Sequence, residues 1–315
     1  MTATERPQAP GSGTPRVEVP TRTLVYGLVR RDGTVHADEL YAVAGILGMS
    51  DQQVRLCIGR LTEEGRFTRE GRGRKAVLRA TGGVTNSPAL TAGFVRHAFR
   101  QDRGLEPWDG LWHLVAFAVP ETARAARDGL REAILRLGGA PLHGGLYVSA
   151  NPWDGLVEAE ARRLGLGSAL THLTCTELRV GGERDPRALA ASLWPLQELA
   201  AGYERLAEAA RLRLRRVTGP EPLTRTELLA VEIELAAELT RAMEPDPLLP
   251  PELLPRDWPG GRARAAVADC WAALRDRAGH DGHGAGAPPV RLFELYDETV
   301  EAAGGAGGSS GRPGG

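Results

Sequence analysis

The chain has 315 residues, of which 42% are hydrophobic and 25% are charged, and its formal net charge is −1. These values are ordinary for a water-soluble globular protein of two or three domains, and no apolar run reaches the roughly 18–20 residues of a membrane span. The amino terminus has no signal-peptide core, so we expect a cytoplasmic protein without a membrane partner. The three cysteines are isolated and have no metal-ligand spacing, which favours buried structural thiols over metal ligands or nucleophiles.

The first predicted elements are an arm and two helices. Residues 1–20 are rich in proline, glycine, threonine and charge, which predicts a disordered arm. Apolar spacing predicts a helix over residues 21–31, with Leu24, Val25 and Leu28 facing inward, and a second helix over residues 35–47. A tight turn at residues 48–50 has the length expected between the two helices of a helix-turn-helix.

A third helix is predicted to begin at Ser50. The Ser50 hydroxyl suits an N-cap, and Gln53 three residues later completes a capping box. Helical spacing predicts a buried face formed by Val54, Cys57, Ile58 and Leu61. The opposite face carries Gln52, Arg55, Leu56, Gly59 and Arg60. A polar face near the start of such a helix is typical of a recognition helix that meets base edges.

An arginine-rich hairpin is predicted next, with strands over residues 66–70 and 75–80. Residues 66–79 contain six basic side chains and one acidic side chain, Glu70. Across residues 20–81 there are eleven basic and seven acidic residues, a net charge of +4, although the whole chain is nearly neutral. This composition is typical of a winged helix that lays a cationic hairpin along phosphates. The alternative interpretation is a hairpin used for packing, with its charges solvated.

The candidate DNA-contacting residues fall into two groups, those suited to base edges and those suited to phosphates. Gln52 and Arg55 are the candidates for base contacts, because glutamine pairs with adenine and arginine with guanine in the major groove. Gln53 either contacts DNA or is occupied by the helix cap. Leu56 either contacts a thymine methyl group or packs on the hairpin. Cationic side chains of the helix and hairpin suit phosphates, which position a protein on DNA. The full set of DNA-binding candidates is Ser50, Gln52, Gln53, Arg55, Arg60, Arg69, Arg72, Arg74 and Lys75.

The remaining chain predicts an α/β region followed by a helical region. A linker and a helix are predicted over residues 81–100. Alternating and helical patterns then predict strand, helix, strand, helix and strand over residues 111–119, 120–137, 144–150, 153–166 and 170–180. This order suggests a small ferredoxin-like α/β sandwich. Further helices are predicted over residues 186–217, 223–243, 262–278 and 290–303. Prolines make residues 245–260 an extended connector, and the apolar stripe of residues 186–217 is open between self-association and internal core.

Three motifs accompany this order of elements. They are WDGLWHLVAFAVPE at residues 108–121, GGAPLHGGLYVSANP at residues 138–152 and DPLLPPELLPRDWPG at residues 246–260. Together with the preceding helices and hairpin, they resemble the PaaX-type family of bacterial transcriptional repressors. The resemblance implies an amino-terminal DNA-binding domain, a Cas2-like middle domain and a helical carboxyl domain. It also implies a homodimer that represses aromatic-acid catabolism operons and leaves DNA when it binds an aryl-CoA thioester.

The fold prediction is therefore an α+β multidomain protein. Its amino-terminal part is a winged helix-turn-helix, its middle part a ferredoxin-like, Cas2-like α/β domain and its carboxyl part a helical domain. The predicted boundaries are 1–20 for the arm, 21–100 for the DNA-binding domain and linker helix, 101–183 for the middle domain, 184–303 for the helical domain and 304–315 for a disordered tail.

The functional prediction is an effector-responsive repressor, with double-stranded operator DNA, a CoA-thioester effector and a second copy of the chain as partners. The effector candidates are Trp108, Trp112, His143 and Trp153, which form either an aromatic pocket or core packing. The first strand of the middle domain ends at Val119-Pro120-Glu121 without an aspartate, so a metal-dependent nuclease is not expected. No catalytic motif is found, and no cofactor, metal or enzymatic activity is predicted. The alternatives are a DNA-binding module without a small-molecule response, and an acyl-CoA or nucleic-acid enzyme with an appended winged helix.

Overall fold

The computed structural model describes residues 18–81 and 92–280. The helix predicted over residues 290–303, the tail, most of the arm and part of the linker lie outside the described residues. Within the described ranges, no helix is both long enough and apolar enough to cross a membrane.

The amino-terminal unit combines three helices with a three-stranded antiparallel sheet in the order β1-β3-β2. Its elements are α1 (Thr21–Gly27), β1 (Thr34–His36), α2 (Ala37–Ile46), α3 (Asp51–Glu63), β2 (Phe67–Glu70) and β3 (Val77–Ala80). The helical faces predicted from apolar spacing are confirmed, since Leu24, Val25, Leu40, Val43 and Leu61 are all buried in one core. Val19 is buried in the same core, although it lies in the stretch predicted as an arm.

Two helix boundaries in this unit were predicted wrongly. The first helix ends at Gly27 rather than near residue 31, and a turn follows in which the Asp32 carboxylate accepts hydrogen bonds from the backbone and hydroxyl of Thr34. Residues 34–36 form strand β1 instead of opening the second helix, because Val35 pairs with Leu78 of β3. In the hairpin, Lys75 belongs to a 3₁₀ turn, Gly73–Lys75, and the second strand begins two residues later than predicted.

The middle unit is a four-stranded antiparallel sheet with two helices on one face. Its elements are β4 (Trp112–Phe117), α5 (Arg124–Arg136), β5 (Ala140–His143), β6 (Leu146–Ser149), α6 (Asp154–Arg163) and β7 (Leu170–Cys175). The strand order β5-β6-β4-β7 is that of a ferredoxin-like α/β sandwich. The predicted second strand is present as β6 but begins two residues later, after a hairpin turn from β5 at Gly144 and Gly145, both with positive φ. Strand β5 was not predicted because it contains Pro141, and proline is unfavourable in most strands. Proline is tolerated here because β5 lies at the edge of the sheet.

The carboxyl region contains helices α7 (Pro186–Leu193), α8 (Leu196–Thr218), α9 (Arg225–Met243) and α10 (Gly260–His280). The single helix predicted over residues 186–217 is broken, because Pro195 lacks a backbone donor and holds Trp194 in an extended conformation. The connector between α9 and α10 is extended, as predicted, with one 3₁₀ turn at Pro251–Leu253. Helix α4 (Ala92–Asp102), which precedes the middle unit, packs into the core formed by α8, α9 and α10.

Helix α9 contributes to two cores at once. Leu229, Ala230 and Ile233 lie in the core of the amino-terminal unit, whereas Val231 and Leu235 lie in the core of the carboxyl region. A helix almost 200 residues later in the chain therefore forms part of the support of the amino-terminal unit. The other face of the middle sheet similarly packs against α7, the start of α8 and the connector.

Candidate nucleic-acid interface

The start of helix α3 is held by a reciprocal cap. The backbone N–H of Gln53 donates to the Ser50 hydroxyl at 3.2 Å, and the Gln53 side-chain oxygen accepts from the Ser50 backbone N–H at 2.8 Å. The predicted capping box is therefore confirmed. Because the cap occupies the Gln53 side-chain oxygen and the Ser50 hydroxyl, these two residues fix the first turn of α3 rather than project from it.

The outward face of α3 is exposed along its length. Gln52, Arg55, Gly59 and Arg60 are all exposed, as the helical spacing predicts. Leu56 is 55% exposed, so it does not pack on the hairpin in this structure. Arg55 Nε donates to the backbone oxygen of Asp51 one turn earlier, at 3.2 Å, which holds the guanidinium along the helix surface. On the inward face, Val54, Ile58 and Leu61 are buried and Cys57 is half-buried.

The hairpin exposes all six of its basic side chains. Two of them have acidic neighbours: Arg79 pairs with Glu70 at 2.8 Å, and Arg74 lies 3.4 Å from the Asp51 carboxylate of α3. The Arg74 guanidinium also lies 5.5 Å from the centre of the Tyr41 ring. Among the described residues, no carboxylate lies within ion-pair distance of the other four, which are Arg66, Arg69, Arg72 and Lys75.

A groove separates α3 from the hairpin and from the start of α2. Its volume is about 370 Å³. Its walls include Arg55 and Gly59 of α3, Arg69 of β2, Leu78 of β3 and Tyr41 of α2. The outward face of α3 and the cationic hairpin therefore border the same groove, which we call the α3–hairpin groove.

The four effector candidates of the middle unit do not come together. Trp112 is 1% exposed and lies between Trp108, at 5.4 Å between ring centres, and Trp194, at 6.5 Å. Trp153 is buried in a separate core on the opposite face of the sheet, and His143 is exposed at the end of β5. Of the two interpretations, aromatic pocket and core packing, core packing agrees with the positions of the three tryptophans. Trp194 was not among the candidates, since it stands alone before a proline with no motif around it.

A buried polar network, which sequence reasoning did not find, joins α4, α8, α10 and the connector. Arg264 makes two hydrogen bonds to the Asp102 carboxylate, at 2.7 and 2.6 Å, and one to the Tyr203 hydroxyl at 2.9 Å. The Tyr203 hydroxyl also contacts Asp246. Burial alone would lower the pKa of Arg264, but its hydrogen bonds to Asp102 raise it above its usual range. Gln101 and Asn151 donate to the Leu248 backbone oxygen, which fastens the connector to α4 and to the middle unit.

Glu232 of α9 is buried without such partners. Neither of its side-chain oxygens has a hydrogen-bond partner among the described residues, and the residue is 0% exposed. Burial raises its pKa well above the ordinary value of 4.5, and the charge of Arg225 opposes this only in part. Burial thus favours the uncharged form of Glu232, which lies in the helix that supports the amino-terminal unit.

The cysteines lie apart from this interface or point inward from it. Burial raises the pKa of all three thiols, to about 11 for Cys270. A raised thiol pKa disfavours the reactive thiolate. Among the described residues, no group of three or more histidine, cysteine or acidic side chains is placed to hold a metal ion.

Comparison with known proteins assigns the chain to a family. The model of the PaaX protein central Cas2-like domain matches residues 105–190, and that of the PaaX-like protein C-terminal domain matches residues 194–281. The chain belongs to the PaaX-type family, and its middle unit is a Cas2-like domain. The resemblance indicated by the three sequence motifs is therefore confirmed.

Solved and curated proteins add little to this assignment. The structure of the uncharacterized protein Rv0674 from Mycobacterium tuberculosis is similar to this chain with 22% identity and a TM-score of 0.48, covering 81% of this chain and 94% of that one. No curated protein matches the sequence significantly.

Proposed function

We propose that this PaaX-family protein is a DNA-binding transcriptional regulator whose amino-terminal unit is a winged helix-turn-helix. The observation that carries the proposal is the α3–hairpin groove. It is bordered by an exposed polar helix face on one side and by a hairpin with six exposed basic side chains on the other. DNA offers base edges in a groove wide enough for a helix, flanked by phosphates, and this arrangement complements both.

The roles of the individual side chains follow from their positions. Gln52 and Arg55, on the first turns of α3, are placed to meet base edges in the major groove. Arg60, Arg69, Arg72, Arg74 and Lys75 suit phosphates, which set the register of the protein on DNA without reading sequence. Ser50 and Gln53 act indirectly, because their side chains hold the start of α3 in place.

A genome-wide DNA pull-down followed by binding assays tests this proposal. We expect tight binding to selected double-stranded fragments, and the recovered genes would identify the regulated pathway. Removing two phosphate contacts with Arg72→Ala and Lys75→Ala should make the salt dependence shallower by about two units on a log–log plot. Arg211→Ala, which removes an exposed arginine from α8, is the control and should leave DNA binding unchanged. Equal salt slopes for the wild type, the Arg72→Ala and Lys75→Ala double variant and the Arg211→Ala control would exclude the hairpin as the phosphate-binding element.

We further infer that the regulator is a repressor released by an aryl-CoA or related acyl-CoA. Support comes from family membership. The four middle-unit candidates add none as a set, because Trp112 and Trp153 are buried in separate cores and Trp108 packs against the core that contains Trp112. An effector must bind the DNA-free state more tightly than the DNA-bound state, and the shift cannot exceed that difference. We expect acyl-CoAs, but not the free acids, to lower operator affinity. Acyl-CoAs that bind without changing this affinity, or that do not bind, would contradict the inference.

The repressor is proposed to act as a homodimer on a pseudo-palindromic site. One winged helix covers only a few base pairs, so tight repression usually needs two modules about one helical turn apart. The apolar stripe considered for self-association is not available, since Leu189, Tyr203 and Leu206 are buried within the chain. Light scattering of the free protein and of its DNA complex measures the assembly, and a monomer in both would exclude the dimer.

No catalytic activity is proposed. The alternatives are distinguished by simple measurements. DNA binding that ignores every small molecule would favour a plain DNA-binding module, and turnover of a thioester or of nucleic acid would favour an enzyme.

A further inference from the structure

Gly59 occupies a position in α3 where no contact within residues 18–81 and 92–280 requires glycine. It lies in the middle of a 13-residue helix, and its backbone does not have the positive φ that favours glycine. Glycine in a helix interior is unfavourable relative to alanine, because it loses more conformational freedom on folding. Its presence therefore has a cost for the helix without a local benefit.

Packing inside the protein does not explain the residue either. A Cβ atom built at Gly59 would have no heavy atom of the described residues within 4 Å. Two glycines of the middle unit are different: at Gly138 the added atom would lie 2.8 Å from the Pro247 backbone, and at Gly139 it would lie 2.4 Å from the Trp153 ring. Those two positions need glycine for internal packing, whereas the space above Gly59 is open.

The open space belongs to the α3–hairpin groove. Gly59 lines this groove together with the cationic side chains Arg55 and Arg69, and with the apolar side chains Ile58 and Leu78. Glu63 is the acidic residue of the lining, so the two arginines leave a net positive charge. A sugar–phosphate backbone offers the complementary chemistry, since its phosphates are anionic and its deoxyribose rings present C–H surface.

We propose that the α3–hairpin groove holds the sugar–phosphate backbone of one DNA strand, and that Gly59 lets this backbone approach α3 closely. The proposal rests on the proposed function and assigns the groove within it. Arg55 and Arg69 flank the strand, and the missing side chain of Gly59 provides the room between them. A side chain at position 59 would push the strand outward, lengthen its phosphate contact with Arg69 and move the base edges away from Arg55.

The test compares Gly59→Ala with Gly45→Ala. Gly45 is also an exposed helical glycine of the amino-terminal unit, and a Cβ atom there would likewise have no neighbour within 4 Å. Both substitutions should raise the thermal midpoint of unfolding by about 2 °C, because alanine is the better helix former. Gly59→Ala should weaken binding to operator and random DNA by about tenfold, as overpacking of a close contact does. Gly45→Ala should bind as the wild type does.

The salt dependence of binding provides a second readout. Displacing the strand from Arg69 should make the log–log salt slope shallower by about one unit in Gly59→Ala alone. Wild-type and Gly45→Ala proteins that bind DNA, with Gly59→Ala equal to them in affinity and slope, would overturn the groove assignment and leave the proposed function standing. A Gly59→Ala protein less stable than wild type would also overturn it, by showing that the fold itself needs this glycine. Absence of DNA binding by the wild type would instead reject the proposed function.

Discussion

The hairpin of the amino-terminal unit and the junction around α10 are both built with arginine, but they use the guanidinium group differently. Arg74 in the hairpin and Arg264 in the junction each pair with one aspartate. The Arg74 side chain is 66% exposed and its pair with Asp51 is 3.4 Å long, whereas Arg264 is 5% exposed and makes two short bonds to Asp102. An exposed pair exchanges easily with water or phosphate, whereas the pair of the buried Arg264 with Asp102, whose side chain is 22% exposed, exchanges less readily. The surroundings of the guanidinium, and not its charge, therefore distinguish the proposed DNA-binding hairpin from the structural junction around α10.

The largest effect is expected from Asp102→Ala. This change leaves the buried Arg264 guanidinium without its carboxylate. Breaking a buried pair typically costs about 3–5 kcal/mol of folding free energy, and we expect the lower end of this range because the Asp102 side chain is 22% exposed. Chemical denaturation measures the loss. A decrease below about 1 kcal/mol would show that water solvates Arg264 and that the contrast between the two regions is smaller than the burial suggests.

The next largest effect concerns DNA recognition by the exposed arginines of α3 and the hairpin. Arg55→Ala should reduce discrimination between operator and random DNA by about 1–3 kcal/mol, because it removes a candidate base contact. Arg74→Ala should instead weaken binding to all sequences and lower the salt slope by about one unit. Titrations of both DNAs at several salt concentrations separate the two results. Unchanged affinities of Arg55→Ala for both DNAs would contradict the recognition-helix assignment.

Glu232→Gln tests a third environment, a buried carboxyl group that has no hydrogen-bond partner among the described residues. The pKa of Glu232 is raised in the folded protein above its ordinary 4.5, so folding favours the protonated form. The contribution of Glu232 to wild-type stability should therefore fall as pH rises above about 4.5, by about 1.4 kcal/mol per pH unit until the folded pKa is passed. Glu232→Gln lacks this contribution, so its stability relative to wild type should grow across the same window. Parallel stability curves for the two proteins from pH 4.5 to pH 8 would exclude a buried, uncharged Glu232.

The smallest effect is expected from Asp51→Ala, which is the exposed counterpart of Asp102→Ala. Exposed ion pairs contribute little, so the free energy of unfolding should change by about 0.5 kcal/mol or less. Removing a negative charge near the hairpin should at the same time strengthen DNA binding slightly, since Arg74 is then free for phosphate. Denaturation and DNA titration measure the two quantities. A large stability loss would mean that the two aspartates have the same role.

Short-range patterns in the sequence predicted much of the amino-terminal unit. The cap between Ser50 and Gln53 spans three residues, and the buried faces of the first three helices repeat every three or four residues, so both are encoded locally. The motifs shared with the PaaX-type family also gave the order of the middle and carboxyl units. The exposed face of α3 and the cationic hairpin followed from the same patterns.

The remaining features depend on pairings between distant residues. Strand β1 forms because Val35 meets Leu78, and the tryptophans separate because the sheet places them on opposite faces. The partners of the Arg264 network lie up to 162 residues apart. Helix α9 packs into the amino-terminal core although it lies almost 200 residues later in the chain. Spacing along a chain specifies which face of a helix is apolar, because that depends on the helix alone. Only the tertiary structure decides what covers that face, because the free energy of burial depends on which distant surfaces meet.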